Sequence, residues 1–208
     1  MTNIDSITLD VADVAAAQIF YTALGLGDRI QVRQLDNDAA PTSGFRGYTL
    51  SVTVFQPATV RALVDAAVAA GATLLKPVAK SLWGVGGGIQ APDGAVWTIA
   101  TSAKKDSDPT DRRIESVVLL IGADDVAASK TFYVEHGLAV GKSMGKYVEF
   151  AMPASPVKLG LLGRKALAKN AGVAPEGSGA HRLTIVGDAG AFTDPDGFTW
   201  EASVAAST

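Results

Sequence analysis

Hydrophobic and polar residues alternate along several short segments of this chain, and helical periodicity separates some of these segments. Residues 4–11 alternate in the way that a half-buried strand does. Residues 57–70 have the spacing of an amphipathic helix, which Gly71 ends. The predicted apolar face of that helix consists of Val60, Leu63, Val64 and Val68. The pattern therefore predicts a protein in which helices and strands are mixed.

Continued along the chain, the same pattern predicts four helices and twelve strands. Asp13 is the predicted N-cap of the first helix, since its carboxylate is well suited to accept from free N–H groups. The predicted helices are 15–24, 57–70, 126–136 and 164–170. The predicted strands are 4–11, 27–34, 48–55, 72–78, 86–90 and 96–101, then 116–121, 139–143, 146–152, 157–162, 181–186 and 198–203.

Two motifs occur twice in this chain. The segment from Asp13 to Phe20-Tyr21 returns from Asp125 to Phe132-Tyr133, an offset of 125 − 13 = 112 residues. The Pro-Asp-Gly turn at 91–97 returns at 194–200, an offset of 196 − 93 = 103 residues. Repeats of this length indicate a duplicated domain, because solenoid periods are roughly 20–50 residues. We predict a first domain at 1–102, a linker at 103–113 and a second domain at 114–208.

Composition narrows the function classes. The chain has 208 residues, a net charge of −3 and no basic run, which argues against nucleic acid as a partner. It has no cysteine, which excludes disulfides, thiolate metal sites and a cysteine nucleophile. No signal-like segment begins the sequence, and no apolar run approaches the roughly 18 residues that span a bilayer. We therefore expect a cytoplasmic protein with no membrane partner.

In this order, the motifs resemble the vicinal oxygen chelate superfamily of glyoxalase I, the bleomycin- and fosfomycin-resistance proteins and the extradiol dioxygenases. The resemblance is carried by residues 11–26, their copy at 123–138, residues 70–84, and the turn before Trp200-Glu201. It implies an α+β fold in which tandem βαβββ modules form two cup-shaped mixed-sheet domains. Both halves are partly trimmed relative to that pattern, the first before Tyr48 and the second after Val186.

Trimmed modules leave sheet edges that need cover. We therefore expect the two halves to pack together as a pseudo-dimer within one chain, and a further homodimer stays open.

Metal-dependent members of the superfamily place His and Glu on inward strand positions, and the resemblance transfers those positions to this chain. In the first half they fall on Ser6, Tyr48 and Thr98, none of which is a usual ligand. In the second half they fall on His181 and Glu201, with Val118 or Ser116 at the third position. This is an incomplete set, so we expect no cofactor, with a divalent metal (Fe, Ni, Zn or Mn) as the alternative.

Structural roles compete with ligation at both residues. Glu201 would pair with a basic group such as Arg182, and His181 would cap the start of a strand. The glycine-rich segment 83–88 opens no helix, so it is interpreted as a flexible connection and not as a dinucleotide-binding loop.

The favoured function is metal-free binding, and thus sequestration, of an aromatic or amphipathic small molecule. Four aromatic residues near predicted strand ends are the predicted contacts, because aromatic faces stack on planar ligands. They are Tyr48, Trp83, Trp97 and Trp200. The alternative is a metal-dependent lyase or dioxygenase of the glyoxalase or extradiol type, in which His181 and Glu201 hold a Lewis acid.

Overall fold

The computed structural model describes residues 2–107 and 113–203. Residues 108–112 of the predicted linker and 204–208 of the predicted second domain lie outside this range. Within it, the predicted α+β fold is confirmed. The helices are α1 (Val14–Ala23), α2 (Pro57–Ala69), α3 (Val126–Glu135) and α4 (Arg164–Ala171). The strands are β1 (Ile4–Val11), β2 (Ile30–Gln34), β3 (Ser43–Gly44), β4 (Tyr48–Val54), β5 (Thr73–Ser81), β6 (Gly84–Gln90), β7 (Val96–Thr101), β8 (Ile114–Ala123), β9 (Val140–Met144), β10 (Tyr147–Phe150), β11 (Val157–Gly163), β12 (Gly177–Ser178), β13 (Leu183–Gly187), β14 (Phe192–Thr193) and β15 (Thr199–Ala202).

Local chemistry sets the ends of these helices. The Asp13 carboxylate accepts from the Ala16 N–H at 2.9 Å, which confirms the predicted N-cap of α1. Asp125 caps α3 in the same way. None of the helices in the described part of the chain is long and apolar enough to cross a membrane.

Most of the strands belong to four successive modules. Module A is β1, α1 and β2; module B is β4, α2 and β5 to β7; module C is β8, α3 and β9 to β11; module D is β13 to β15. Modules B and C are complete βαβββ units, in each of which the first strand pairs in parallel with the last. Modules A and D are shorter, in agreement with the trimming seen in the sequence.

The modules pair across the two halves of the sequence. Strand β4 of module B runs antiparallel to β8 of module C, with Val52 opposite Val117. This pairing builds a sheet in the order β5-β6-β7-β4-β8-β11-β10-β9, here called the full sheet. Strand β1 of module A runs antiparallel to β13 of module D, with Ile7 opposite Ile185. That pairing builds the reduced sheet, β2-β1-β13-β15-β14, which joins the full sheet through the pair Ile4 and Val157.

The two faces of the full sheet are covered differently. Alternation along β4 turns Leu50, Val52 and Val54 into the main core with α2. The opposite face is covered in part by α4, which contacts β4, β7, β8 and β11. There Leu167 and Ala168 pack with Phe45 against the partly buried residues Leu120, Leu162 and Val173.

The two repeated sequence motifs contact each other in both halves. The Tyr21 hydroxyl in α1 donates to Asp93 Oδ2 at 2.6 Å, and the Tyr133 hydroxyl in α3 donates to Asp194 Oδ2 at 2.5 Å. Trp200 Nε1 donates to the Tyr133 oxygen at 3.4 Å. Because these bonds join module A to B and module C to D, each half of the sequence links the two sheets.

The glycine-rich segment 83–88 is not a flexible connection. Most of it lies in β6, a strand between β5 and β7 that contacts α2. Gly84 has a φ of +131°, and a Cβ there would overlap the Thr101 carbonyl oxygen. Glycine is needed because the backbones approach so closely.

Two further details differ from the sequence-based expectation. The buried face of α2 carries Ala67 in place of Val68, which is 44% exposed. His181 precedes β13 because Arg182 adopts a φ of +55° that ends the extended backbone.

Candidate functional site

A pocket of about 1010 Å³ lies on the reduced sheet, at its polar face. Its walls come from β1, β2, β13 and β15 and from the loops at 35–40 and 180–182. The lining residues are Asp10, Arg33, Gln34, Leu35, Asp36, Asn37, Ala39, Ala40, Ala180, His181, Arg182, Leu183, Thr184, Gly197, Thr199 and Glu201. Both halves of the sequence therefore contribute to it.

Strand alternation produces the polarity of this pocket. Along β1, Ile7, Leu9 and Val11 are buried in the core, so Asp10 faces the other side of the sheet. Asp10 is opposite Arg33 in the parallel β1–β2 pair. Thr184 is opposite Thr199 in the β13–β15 pair.

Arg33 is the centre of the pocket's hydrogen-bond network. Its Nε donates to Asp10 Oδ1 at 2.7 Å, its Nη1 to Glu201 Oε1 at 3.3 Å and its Nη2 to Thr184 Oγ1 at 3.1 Å. The hydrogen bond to Asp10 raises the pKa of Arg33 above its ordinary value, so the guanidinium stays charged. One cation therefore ties together the strands of modules A and D.

Both ring nitrogens of His181, through which a histidine would bind a metal, face backbone carbonyl groups. Nδ1 lies 2.5 Å from the Arg46 carbonyl oxygen, and Nε2 lies 3.0 Å from the Asp196 carbonyl oxygen. The ring stacks on Phe198 with 3.8 Å between centroids. A neutral imidazole donates through only one of its nitrogens, but both nitrogens face carbonyl oxygens, so a metal could reach neither unless the ring turned.

The residues present do not fit the metal that the fold family implies. Glu201 shares its carboxylate with Arg33, and both His181 nitrogens are engaged. Among the described residues there is no group of three or more His, Cys, Asp or Glu side chains that could hold a metal ion. The expected basic partner of Glu201 is also corrected: it is Arg33, whereas Arg182 donates from Nη2 to the Ala40 carbonyl oxygen at 2.7 Å.

The four aromatic residues predicted to contact a ligand do not line this pocket. Tyr48, Trp97 and Trp200 are each at most 1% exposed in the core, whereas Trp83 is 84% exposed at the β5–β6 turn. Trp97 packs on Tyr21 and Trp200 packs on Tyr133, so the two indoles belong to the contacts that join the modules. Their role as ligand contacts stays a prediction, and the structure does not bring the four together.

Sequence reasoning missed Arg33, Asp10 and Thr184. The available signal was the alternation itself, since the polar positions of residues 4–11 must face something other than the core. Arg33 comes to lie opposite Asp10 through the parallel pairing of β1 with β2, and this pairing cannot be derived from the sequence.

Loops from both halves border the pocket. Strands β3 and β12 form a two-residue ribbon in which the Ser43 and Ser178 hydroxyls are 2.9 Å apart. Arg182 Nη2 donates to the Ala40 carbonyl oxygen, while Nε and Nη1 of the same side chain are buried without a hydrogen-bond partner among the described residues. Arg182 also has a left-handed backbone, with a φ of +55°, a strained conformation of the kind that clusters at functional sites.

Comparison with known proteins supports the fold. No family model and no curated protein matches the chain. A crystal structure of glyoxalase I from Zea mays superposes with a TM-score of 0.62 at 12% identity, over 97% of this chain and 92% of that chain. A putative dioxygenase from Bacillus subtilis subsp. subtilis str. 168 superposes with a TM-score of 0.51 at 14% identity, over 88% of this chain and 69% of that chain. These superpositions confirm the predicted glyoxalase-like α+β fold.

Proposed function

We propose that this protein binds a small amphipathic molecule, without a metal, in the pocket of the reduced sheet. The observation that carries the proposal is the Arg33 network. A permanently charged guanidinium occupies the carboxylate of Glu201, the residue at which the fold family would be expected to hold a metal. The pocket, at about 1010 Å³, is at the upper end of the roughly 300–1000 Å³ typical of small-molecule sites.

The lining suggests the chemistry of the ligand. A guanidinium has five N–H groups, of which Arg33 uses three on the partners named above, so two are available for acceptor oxygens of a ligand. Asp36 and Glu201 can accept from ligand hydroxyl or amine groups. Leu35 and the neighbouring alanines offer an apolar wall. One polar end with both donors and acceptors, joined to an apolar body, matches this surface.

Binding is favoured over turnover because the one histidine of the lining is held between two backbone carbonyl groups. Its Nδ1 and Nε2 lie at hydrogen-bonding distance from the Arg46 and Asp196 carbonyl oxygens, so both nitrogens face the backbone. A catalytic base needs an available lone pair within reach of the proton that it removes. This arrangement supports sequestration.

Thermal unfolding against a library of small amphipathic acids, amines and polyols tests the proposal, in the presence of EDTA. A compound at 100 times its Kd adds about 2.7 kcal/mol, which raises the Tm by roughly 5–10 °C in a chain of this size. We expect such shifts in the wild type and in Arg61→Met, but not in Arg33→Met. Arg61 is the matched control, since it also pairs with an aspartate, Asp106, at 2.7 Å.

Two results would overturn the proposal. One is compounds that bind Arg33→Met as tightly as the wild type. The other is binding that appears only when Fe, Ni, Zn or Mn is added and disappears with EDTA, which would favour the metal-dependent alternative.

A further inference from the structure

We propose that module C carries a second ligand site, which binds the phosphate group of a small molecule. The site is a cavity of about 690 Å³ between the N-terminal ends of α3 and α4 and the β9–β10 turn. It shares no lining residue with the pocket of the reduced sheet, so it is independent of the function proposed above.

Basic side chains dominate the charge of this cavity. Its lining includes Lys130, Lys146, Arg164 and Lys165, against the carboxylates of Asp124 and Asp125. Four positive and two negative groups leave a local charge of +2, whereas the whole chain has −3. Lys130, Lys146 and Lys165 are 16 and 19 residues apart in sequence, and the turn and the helices bring them to one cavity. The sequence therefore contains no basic run at these positions.

The three lysines lie near the mouth of the cavity, since Lys146 and Lys165 are exposed and Lys130 is partly buried. Among the residues that the structure describes, Lys130, Lys146 and Lys165 form neither ion pairs nor hydrogen bonds. Asp125, in contrast, is committed to capping α3 through the N–H groups of Ala127 and Ala128. The Arg164 guanidinium is likewise committed, to the Pro175 and Phe45 carbonyl oxygens. The three lysines then outnumber the one remaining carboxylate, that of Asp124, and an anion would balance this excess of positive charge.

The backbone geometry adds to this preference. The aliphatic part of Lys146 crosses Gly163, with its Cδ 3.5 Å from where a Cβ would lie. Gly163 is the N-cap of α4 and offers no side-chain cap, and the first turn of α4 contains Arg164 and Lys165 but no acidic residue. Cations at the positive end of a helix are unfavourable, while a phosphate there would bind both the side chains and the free N–H groups.

The duplicated half provides an internal comparison. By the offset of 112 residues, Lys130 corresponds to Gln18. The cavity at the start of α1 is smaller, about 330 Å³, and its charged lining is three aspartates and two arginines. The cationic cavity is therefore a property of the second copy and not of the fold.

Titration with inorganic phosphate and with phenyl phosphate, followed by ¹⁵N NMR at constant ionic strength in chloride, tests the proposal. We expect saturable shifts of the Lys165 and Ala166 amides. The triple variant Lys130→Met, Lys146→Met, Lys165→Met should bind roughly 10-fold more weakly or worse, because charged hydrogen bonds are lost. The matched control is Lys80→Met, Lys104→Met, Lys105→Met, which changes the net charge equally and should bind as the wild type does.

The two compounds distinguish the source of the phosphate. Tighter binding of phenyl phosphate would identify a phosphomonoester as the ligand, and equal binding would identify free phosphate; both support the site. Shifts that do not saturate, or equal losses in the two triple variants, would overturn it. Circular dichroism of each variant, with Lys146→Met alone as the mildest change, separates loss of the site from loss of the fold.

Discussion

The full and reduced sheets are built from the same kind of module, yet they present opposite surfaces. In the full sheet, Leu120 and Leu162 meet α4, and this face is partly closed by a helix. In the reduced sheet, the corresponding face carries Asp10, Arg33 and Thr184 and borders a large pocket. The two shorter modules, A and D, both lie in the reduced sheet. The elements that they lack therefore leave the pocket face of the reduced sheet uncovered, while the full sheet stays complete.

The comparison teaches that the core face and the opposite face of such a sheet can differ independently. The core side keeps its apolar residues in both sheets, with Leu50 and Val52 in one and Ile7 and Ile185 in the other. Because side chains alternate, the opposite side can change from apolar to charged with no change in the core.

The largest expected effect breaks the covered face of the full sheet. Leu167→Ala removes a buried side chain that is 2% exposed, so it should cost about 2–5 kcal/mol in the free energy of unfolding. Denaturant unfolding measures this, with Leu82→Ala, at 81% exposure, as the control that should cost little. Equal stability of the two variants would show that α4 does not cover this sheet.

The next effect tests whether the two sheets are joined in the same way in both halves. Tyr133→Phe removes the donor to Asp194, and Tyr21→Phe removes the donor to Asp93. Each should cost about 1–3 kcal/mol, with the larger loss for Tyr133→Phe, because the Asp194 acceptor is buried whereas Asp93 is partly buried. The control is Tyr147→Phe, whose partly buried hydroxyl contacts Glu149, and it should cost less. A loss in only one of the two halves would show that the links are not equivalent.

Burial of the tyrosine hydroxyls should also make the stability of the protein depend on pH, and this effect is expected to be smaller. Burial raises the pKa of Tyr21, Tyr48 and Tyr133 well above the usual 10.0, and burial with nearby Glu149 raises that of Tyr147 to about 12. Above pH 10 the unfolded chain therefore releases protons that the native chain keeps, so stability falls as pH rises. For Tyr147 this loss is complete above about pH 12. Absorbance at 295 nm should show the tyrosines ionising together with unfolding, and normal titration in the native state would contradict this.

The smallest effect on stability is expected where the effect on binding is largest. Arg33 is half exposed, and ion pairs of that kind contribute about 0–1 kcal/mol. Arg33→Met should therefore unfold at nearly the wild-type denaturant concentration. A loss of several kcal/mol would instead make Arg33 a structural residue and would weaken its assignment to the pocket.

Much of the fold was predictable because local signals were strong. The cap at Asp13, the stop at Gly71 and the repeated helix and turn motifs all act within a few residues, and they give the helices to within one residue at each end. The repeats also indicated the duplication.

The candidate site was less predictable, because it depends on pairing between distant strands. Nothing near Arg33 in sequence indicates that Asp10, Thr184 and Glu201 will surround it. The fold does not bring the four aromatic residues together, since Trp97 and Trp200 pack toward the helices, and their contact with a ligand stays a prediction. The glycine-rich segment was interpreted as a flexible connection, whereas most of it forms β6, where a close backbone contact requires glycine at position 84.

The pairing of module A with module D also affects the order in which the two sheets can form during synthesis. Ile7 is made before its partner Ile185, which follows 185 − 7 = 178 residues later. At roughly 5–20 residues per second, β1 waits about 10–40 s for β13. The full sheet needs no strand after β11, so it can assemble before the pocket, which also needs β13 and β15.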